Sequence, residues 1–286
     1  MARLLGVMRD KVFSPNMSKN DHDIFMAVAD RLRERGCHVD VLDEGNLTIE
    51  RMDNDYDLVF TMLRGGAGVR CLQEYQSKHP GRVVNSPEGI HACRKDLITE
   101  VMRKLNVPMP RSVVLQLNHT PTLPHDLAFP LWLKRADQCA QCREDVVFIE
   151  DHTALLEELC NFKVRGVESA LLTEHLVGDL VKFYSVEGTT FFDWDYADSS
   201  HSKYGHEQIN GEPHKYAFDN HRLKAEADRL ATHLGVPVYG GDCIVDSQGQ
   251  FRIIDFNDWP SFSRCRYRAS IAIADRIMGI LNSPPI

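Results

Sequence analysis

The residues best suited to chemistry lie in one short stretch, RIIDFNDWPSF, residues 252–262. Arg252 to Phe256 has the apolar character of a strand, yet it carries Asp255, and Asn257 follows two residues on. Side chains alternate along a strand, so Asp255 and Asn257 share one face. Two oxygen donors in a mostly buried setting are costly unless something satisfies them. A hard cation such as magnesium suits a carboxylate and an amide oxygen. Asp242 lies on the preceding strand. A hairpin loop with an even number of residues sets Asp242 opposite Asp255, and all three donors then share a face. A three-residue loop without a bulge turns Asp242 away. The competing reading is that Asp255 and Asn257 cap a strand end and Asp242 begins a turn. The pattern alone leaves both open.

Two lysines bear on the choice. Lys134 sits in the apolar run FPLWLKR, and Lys95 follows a turn. A lysine in so apolar a strand needs an anionic partner or must snorkel to water. The phosphates of a nucleotide would serve. Taken singly, Lys134 also fits an exposed strand end and Lys95 a solvated helix surface.

The elements that must hold these residues alternate at first between strand and helix. Strands are expected at Leu4 to Met8, Val39 to Leu42, Leu58 to Met62 and Arg82 to Val84, with helices at Asp23 to Arg35 and Val69 to Lys78. This order predicts a small parallel sheet with crossover helices. RGGAG at 64–68 follows the third strand, where open sheets place ligand loops, but it is not a dinucleotide fingerprint. Asn85-Ser86-Pro87 then opens a helical stretch over 88–105, closed by Pro108 and Pro110. Further strands are expected at Phe129 to Arg135, Asp145 to Ile149, Ala170 to Leu176, Val181 to Val186 and Thr190 to Trp194. Helices are expected at Thr153 to Asn161 and Asp219 to Leu234. Val238 to Val245 and Phe251 to Phe256 make the hairpin, and 266–282 a closing helix. Residues 198–216 are polar and rich in His, Lys and Gly, which predicts a loop.

The chain of 286 residues carries a net charge of −8 and a pI near 5.9, which argues against nucleic acid as its main partner. No apolar run approaches the roughly 20 residues of a membrane span. MARLLGVMRD is too short and too soon charged for a signal peptide. Eight scattered cysteines are then expected as reduced thiols in a cytoplasm. Cys139 and Cys142 form a CxxC, but no second pair at matching spacing accompanies it, so two thiols in a loop is the simpler reading.

The order of these features resembles the ATP-grasp superfamily across nearly the whole chain. VVNSPEGIHACRKDLITEVMRKLNVPMP resembles the linker with its first phosphate lysine, and FPLWLKRAD the strand with the second. LLTEHLVGDLVKFY resembles the hinge strand, and GGDCIVDSQGQFRIIDFNDWPSF the metal-binding hairpin. The resemblance implies an α/β fold: an N-terminal parallel lobe (1–84), a linker helix with a central lobe (85–172), and a C-terminal lobe with the metal site (173–286). ATP would lie enclosed between the two α+β lobes. Lys95 and Lys134 would hold its α- and β-phosphates. Glu174 and the backbone at His175 and Leu176 would meet the adenine edge, with Asp179 reaching the ribose. Asp242, Asp255 and Asn257 would hold one or two Mg2+ ions, with Mn2+ able to substitute. Lys182 and Arg264 would act on the transferred phosphoryl group. From their places at strand ends of the first lobe, Arg9, Lys11 and Arg64 are read as binding an anionic small-molecule acceptor, with solvated surface as the alternative for each, and Arg264 after the metal strand joins them; Trp259-Pro260 would turn the chain across that site, with core packing as the alternative for Trp259. The protein would be a monomer or homodimer.

Departures shape the expected chemistry. Superfamily members that join a carboxylate to an amine, of the glutathione synthetase type, usually carry Glu where Asp255 stands. Asp-x-Asn followed by an aromatic and Pro resembles the inositol trisphosphate kinase branch, as do Lys182 and LQEYQSKHP. Against that branch, Asp193, Asp195 and Asp198 stand where a polyphosphate would need cations. ADQCAQCRED has no glycine where the family often closes a flexible loop over ATP. The three readings are therefore a carboxylate–amine ligase acting through an acyl phosphate, a small-molecule kinase, and a non-catalytic ATP-binding regulator. The first is expected because it is the commoner chemistry of the superfamily. In the polar loop, His201, His206 and His214 are read as solvated. Arg266 and Arg268 are read as the first turn of the last helix.

Overall fold

The computed structural model describes residues 1–14, 16–52, 56–119, 127–197 and 209–283. Asp198, His201 and His206 lie outside the described residues. The elements run β1 (Arg3–Met8), α1 (Ser18–Glu34), β2 (His38–Asp43), α2 (Ile49–Met52), β3 (Leu58–Thr61), α3 (Gly66–Lys78), β4 (Val83–Val84), α4 (Pro87–Ala92) and α5 (Lys95–Lys104). They continue β5 (Ser112–Gln116), β6 (Leu131–Arg135), β7 (Val146–Ile149), α6 (His152–Val164), β8 (Ser169–Glu174), β9 (Asp179–Val186), β10 (Phe192–Tyr196), α7 (Asn220–Leu234), β11 (Val238–Val245), β12 (Phe251–Asp258) and α8 (Arg266–Asn282).

The described strands form three four-stranded sheets. The first, ordered β2-β1-β3-β4, is parallel throughout. Parallel neighbours need crossovers, which cover both faces of the sheet and make its strands apolar on both sides. Alternation assigns the faces: Leu4 and Phe60 join the core under α1, whereas Leu5, Val7 and Val59 join the core under α3. The second sheet, β5-β8-β6-β7, and the third, β10-β9-β11-β12, are antiparallel. In the second sheet Leu131 and Leu133 pack into the core with α6. Trp132 and Lys134 therefore point to the opposite face, toward the third sheet.

The sequence reading contains no strand at Ser112–Gln116, which forms an edge of the second sheet against β8. The helix expected over 88–105 is two helices. Arg94 is extended (φ −60°, ψ 141°) and stands at the N-cap of α5. That break makes Lys95 the first residue of a new helix. The strand expected at Thr190 to Trp194 is shifted to Phe192–Tyr196.

Packing does not follow chain order. Ile98 and Met102 of α5 pack with α7 on the third sheet, and Ile273, Ala274 and Ile277 of α8 pack with α1 in the first lobe. Both helices tie the lobes together and so fix the walls of what lies between them. No described helix is long and apolar enough to cross a membrane.

Candidate nucleotide and metal site

The hairpin β11–β12 turns through five residues, Asp246 to Gln250, between the paired Val245 and Phe251. An odd loop alone would turn Asp242 to the wrong face. A bulge corrects it: Cys243 pairs with Ile253 but Asp242 pairs with Asp255, so Ile254 is the extra residue. The register continues across the sheet. Asp195, Lys182, Asp242 and Asp255 stand in one row over four strands, and Asn257 lies two pairs further along on the same face, opposite Gly240. Directly opposed side chains on one face approach to roughly 5 Å at Cβ.

The row is electrostatically crowded and closely matched. Lys95 makes an ion pair with Asp255, and Lys182 Nζ stands 3.6 Å from Asp242 Oδ1. Lys134 Nζ donates to the Ile254 carbonyl at 3.4 Å, the residue that the bulge displaces. Burial alone would raise the Asp255 carboxyl. Lys95, Lys134 and the Asn257 amide outweigh it and hold Asp255 well below the usual carboxylate range. Burial and then Lys95 push Lys134 down to about 8. A buried ammonium beside another cation is a group set up to receive anions. Asn257 donates its amide NH2 to Asp255 Oδ2 at 3.0 Å, so its carbonyl oxygen is the atom left to meet a cation. Two carboxylates and one amide oxygen are hard donors that fit Mg2+ or Mn2+. Among the described residues no group of three His, Cys, Asp or Glu side chains could hold a metal ion by itself, so a cation at Asp242, Asp255 and Asn257 would need phosphate oxygens and water to complete its shell.

A cavity of about 380 Å3 lies over this row, between the second and third sheets. Lys95, Lys134, Lys182, Asp242, Asp255 and Asn257 line it, as do Glu174, His175 and Leu176. Trp132, Val146, Leu180, Ile244 and Ile254 add apolar surface. Trp132 and Lys134 share a face of β6. The first lies beside His175, the second beside Asp255, so the walls change from apolar to charged along the strand. The Trp132 indole N–H donates to His175 Nδ1 at 3.1 Å, and burial lowers the His175 pKa. The imidazole is thus neutral, with its proton on Nε2.

The comparisons with known proteins agree on one architecture. No family model and no curated protein matches the sequence. Among solved structures, a D-alanine–D-alanine ligase from Bacillus anthracis complexed with ATP superposes with a TM-score of 0.69 at 13% identity, over 98% of this chain and 96% of that one. A RimK domain ATP-grasp protein from Sphaerobacter thermophilus gives 0.65 at 15% identity, over 96% and 100%. The chain has the ATP-grasp fold. The likeness spans both chains almost completely.

Within this ATP-grasp fold several expected residues stand elsewhere. Asp179 does not line the cavity: its buried carboxylate accepts from the His214 and Tyr216 backbone N–H groups, both at 2.8 Å, and so anchors the segment before α7. Glu174 lines the cavity, but its carboxylate is held by Arg111 (2.8 and 2.9 Å) and Arg252 (3.3 Å), which makes it a clamp on the connection between the sheets. Arg9 is buried and spent internally, donating to Met62 O, Asp21 and Trp259 O, each at 3.0 Å. Lys11 is exposed and lines no described cavity. Arg264 is ion-paired with Asp195 at 2.6 Å, and Arg268 with Asp193. The acids of β10 thus carry their own counter-ions. Trp259 is fully buried against Phe25 and Phe60 of the first lobe, and only Pro260 of the pair reaches the cavity. Trp259, Arg9 and Asp258 together fasten the end of β12 to the first lobe, and this sets where Asn257 stands. Arg64 does reach the cavity wall.

Sequence reasoning missed Trp132, although its place two residues before Lys134 on one strand was available as a signal. It also missed how the glycine-free segment after β6 is held. Asp145, fully buried, accepts from the Gln141 and Cys142 backbone N–H groups (2.8 and 3.3 Å) and from Arg165 (2.8 Å). Burial opposes these donors, yet they hold its carboxyl below its ordinary value. That contribution to stability is present above the ordinary Asp pKa and lost as pH falls through the lowered one. Cys139 and Ala140, just before this tether, line the cavity. Asp145→Asn is expected to lower the urea midpoint by the equivalent of about 2 kcal/mol at an unchanged m-value and to weaken nucleotide binding. An unchanged midpoint at pH 7 would mean that the tether contributes nothing.

Proposed function

We propose that the protein is an ATP-dependent enzyme that binds MgATP in the 380 Å3 cavity and passes the γ-phosphoryl group to the carboxylate of an anionic small molecule, giving an acyl phosphate that an amine then attacks. The observation that carries this reading is the row Lys182, Asp242, Asp255, completed by Lys95 and Lys134, at the charged end of a cavity whose other walls are apolar. Trp132, Leu180 and Ile244 offer flat and apolar surface for a base, and the lysines offer charge for phosphates. Asp242, Asp255 and Asn257 would hold magnesium, which when bound neutralises phosphate charge at the point of transfer. On nucleotide entry, Lys95 would exchange Asp255 for a phosphate oxygen.

In the transfer the bond from the γ-phosphorus to the β–γ bridging oxygen breaks, and ADP leaves with that electron pair. A carboxylate oxygen forms the new P–O bond without releasing a proton. Attack by the amine on the acyl carbon then expels inorganic phosphate, and the amine loses its proton to water. Catalysis rests on positioning and charge, with no covalent nucleophile from the chain.

A kinase that stops at a phosphate ester is the second reading. One observation favours it: Asp193 and Asp195 are paired with Arg268 and Arg264, so they do not face an acceptor as bare acids. Phosphorus NMR of the protein with MgATP and pooled carboxylates, with hydroxylamine added as the trap, tests the two. ADP and free phosphate appearing with a hydroxamate are expected. A new phosphomonoester signal without hydroxamate would replace the ligase reading by the kinase.

A further inference from the structure

A second cavity, of about 550 Å3, adjoins the first and shares Arg64, Lys95, Cys139 and Asn257 with it. It lies between α3 of the first lobe, the α4–α5 break and the end of β12. Cations dominate its wall, and most are already engaged. Arg94 pairs with Asp96 and Lys95 with Asp255. Arg64 donates to Asp258 O at 3.2 Å and is ion-paired with the Asp258 carboxylate at 3.3 Å, yet its Nε is buried and has no hydrogen-bond partner among the described residues. Arg70 differs from all of these. It is exposed, projects from the first turns of α3, and has no ion-pair partner among the described residues. Its guanidinium folds back over the helix start, so that a Cβ added at Gly66 would lie 3.5 Å from its Nη1. The two amides just before α3, those of Arg64 and Gly65, are taken by the Glu44 carboxylate. Val69 and Ile90 give the cavity an apolar strip beside these cations.

We infer that the acceptor carries two separated oxyanion groups. One meets the transferred phosphoryl at Lys95 and Asn257. The other, a carboxylate or a phosphate, is held by Arg70 with Arg64 at the start of α3, with a short apolar spacer between them along Val69 and Ile90. This rests on the nucleotide reading of the first cavity. It adds Arg70 as a residue that sets acceptor specificity, because a guanidinium fork without an internal partner binds an oxyanion bidentately.

The test is an NMR-detected titration with glutarate, 3-phosphonopropionate and butyrate, run without nucleotide and again with magnesium and AMP-PNP. At least one of the two dianions is expected to bind ten times more tightly than butyrate, and the better of the two identifies the second group as carboxylate or phosphate. Arg70→Gln, an exposed substitution that leaves the fold alone, is expected to reduce that preference at least fivefold with AMP-PNP affinity unchanged. Equal affinities for dianion and butyrate, or a preference that survives in Arg70→Gln, would overturn the inference. Failure of AMP-PNP to bind would strike the nucleotide reading instead, and the nucleotide-free arm would still decide the cavity.

Discussion

Asp255→Asn is expected to abolish magnesium-dependent turnover, by about a thousandfold or more, which corresponds to about 4 kcal/mol of transition-state stabilisation. Asp255 is the one carboxylate that meets Lys95, lies opposite Asp242 and accepts from Asn257. An amide there keeps the shape but removes the charge that a divalent cation needs. It also leaves Lys95 and Lys134 to face each other with less compensation. The carboxyl is held below its ordinary range, so its contribution to stability is present above the ordinary Asp pKa and lost as pH falls through the lowered one. A modest fall in Tm at pH 7 is therefore expected together with a native circular dichroism spectrum. Unchanged acceptor-dependent ADP release in a folded Asp255→Asn protein would remove the metal assignment.

The second large effect is at Lys134, where function and stability are expected to diverge. Burial and Lys95 disfavour its charged form and Asp255 and Asp242 offset this only in part, so the empty protein bears a cost that a bound anion would relieve. Lys134→Met fills a similar volume without the charge. It is expected to weaken AMP-PNP binding by about 10- to 100-fold, the loss of one charge-assisted hydrogen bond of about 1.5–3 kcal/mol, and to leave the Tm of the nucleotide-free protein equal or higher. Calorimetry on both forms reads the two quantities separately. A lower Tm with unchanged nucleotide affinity would make Lys134 a structural residue.

Much of this site was legible because it rests on period-two alternation. Asp255 with Asn257 follows from strand geometry once the strands are placed, and the same alternation, applied to β6, sets the missed Trp132 beside Lys134. The register of Asp242 was legible only as a condition. A five-residue loop and a bulge at Ile254 compensate each other, and nothing in SQG or RIID announces a bulge, because an extra residue is tolerated by any side chain that fits the bend. Lys95 was recognised, but the break at Arg94 that makes it a helix start was not, since neither Gly nor Pro marks it. β5 escaped notice because SVVLQ is a short edge after prolines, with no partner visible locally. The residues whose use the sequence left open are those whose role depends on distant partners. Arg9 and Trp259 are 250 residues apart in the chain and meet in one clamp. Asp179 is claimed by two backbone amides beyond β10. Charge and aromaticity in a sequence give a residue's capability, and only tertiary packing determines what it is used for.

The central claim is that the cavity between the second and third sheets is a metal-dependent ATP site. Isothermal titration of the wild-type protein with AMP-PNP, in magnesium and then in EDTA, tests it most directly. Saturable one-to-one binding that weakens at least tenfold when magnesium is removed is the predicted result. Absence of binding in magnesium, or binding of equal strength in EDTA, would contradict it.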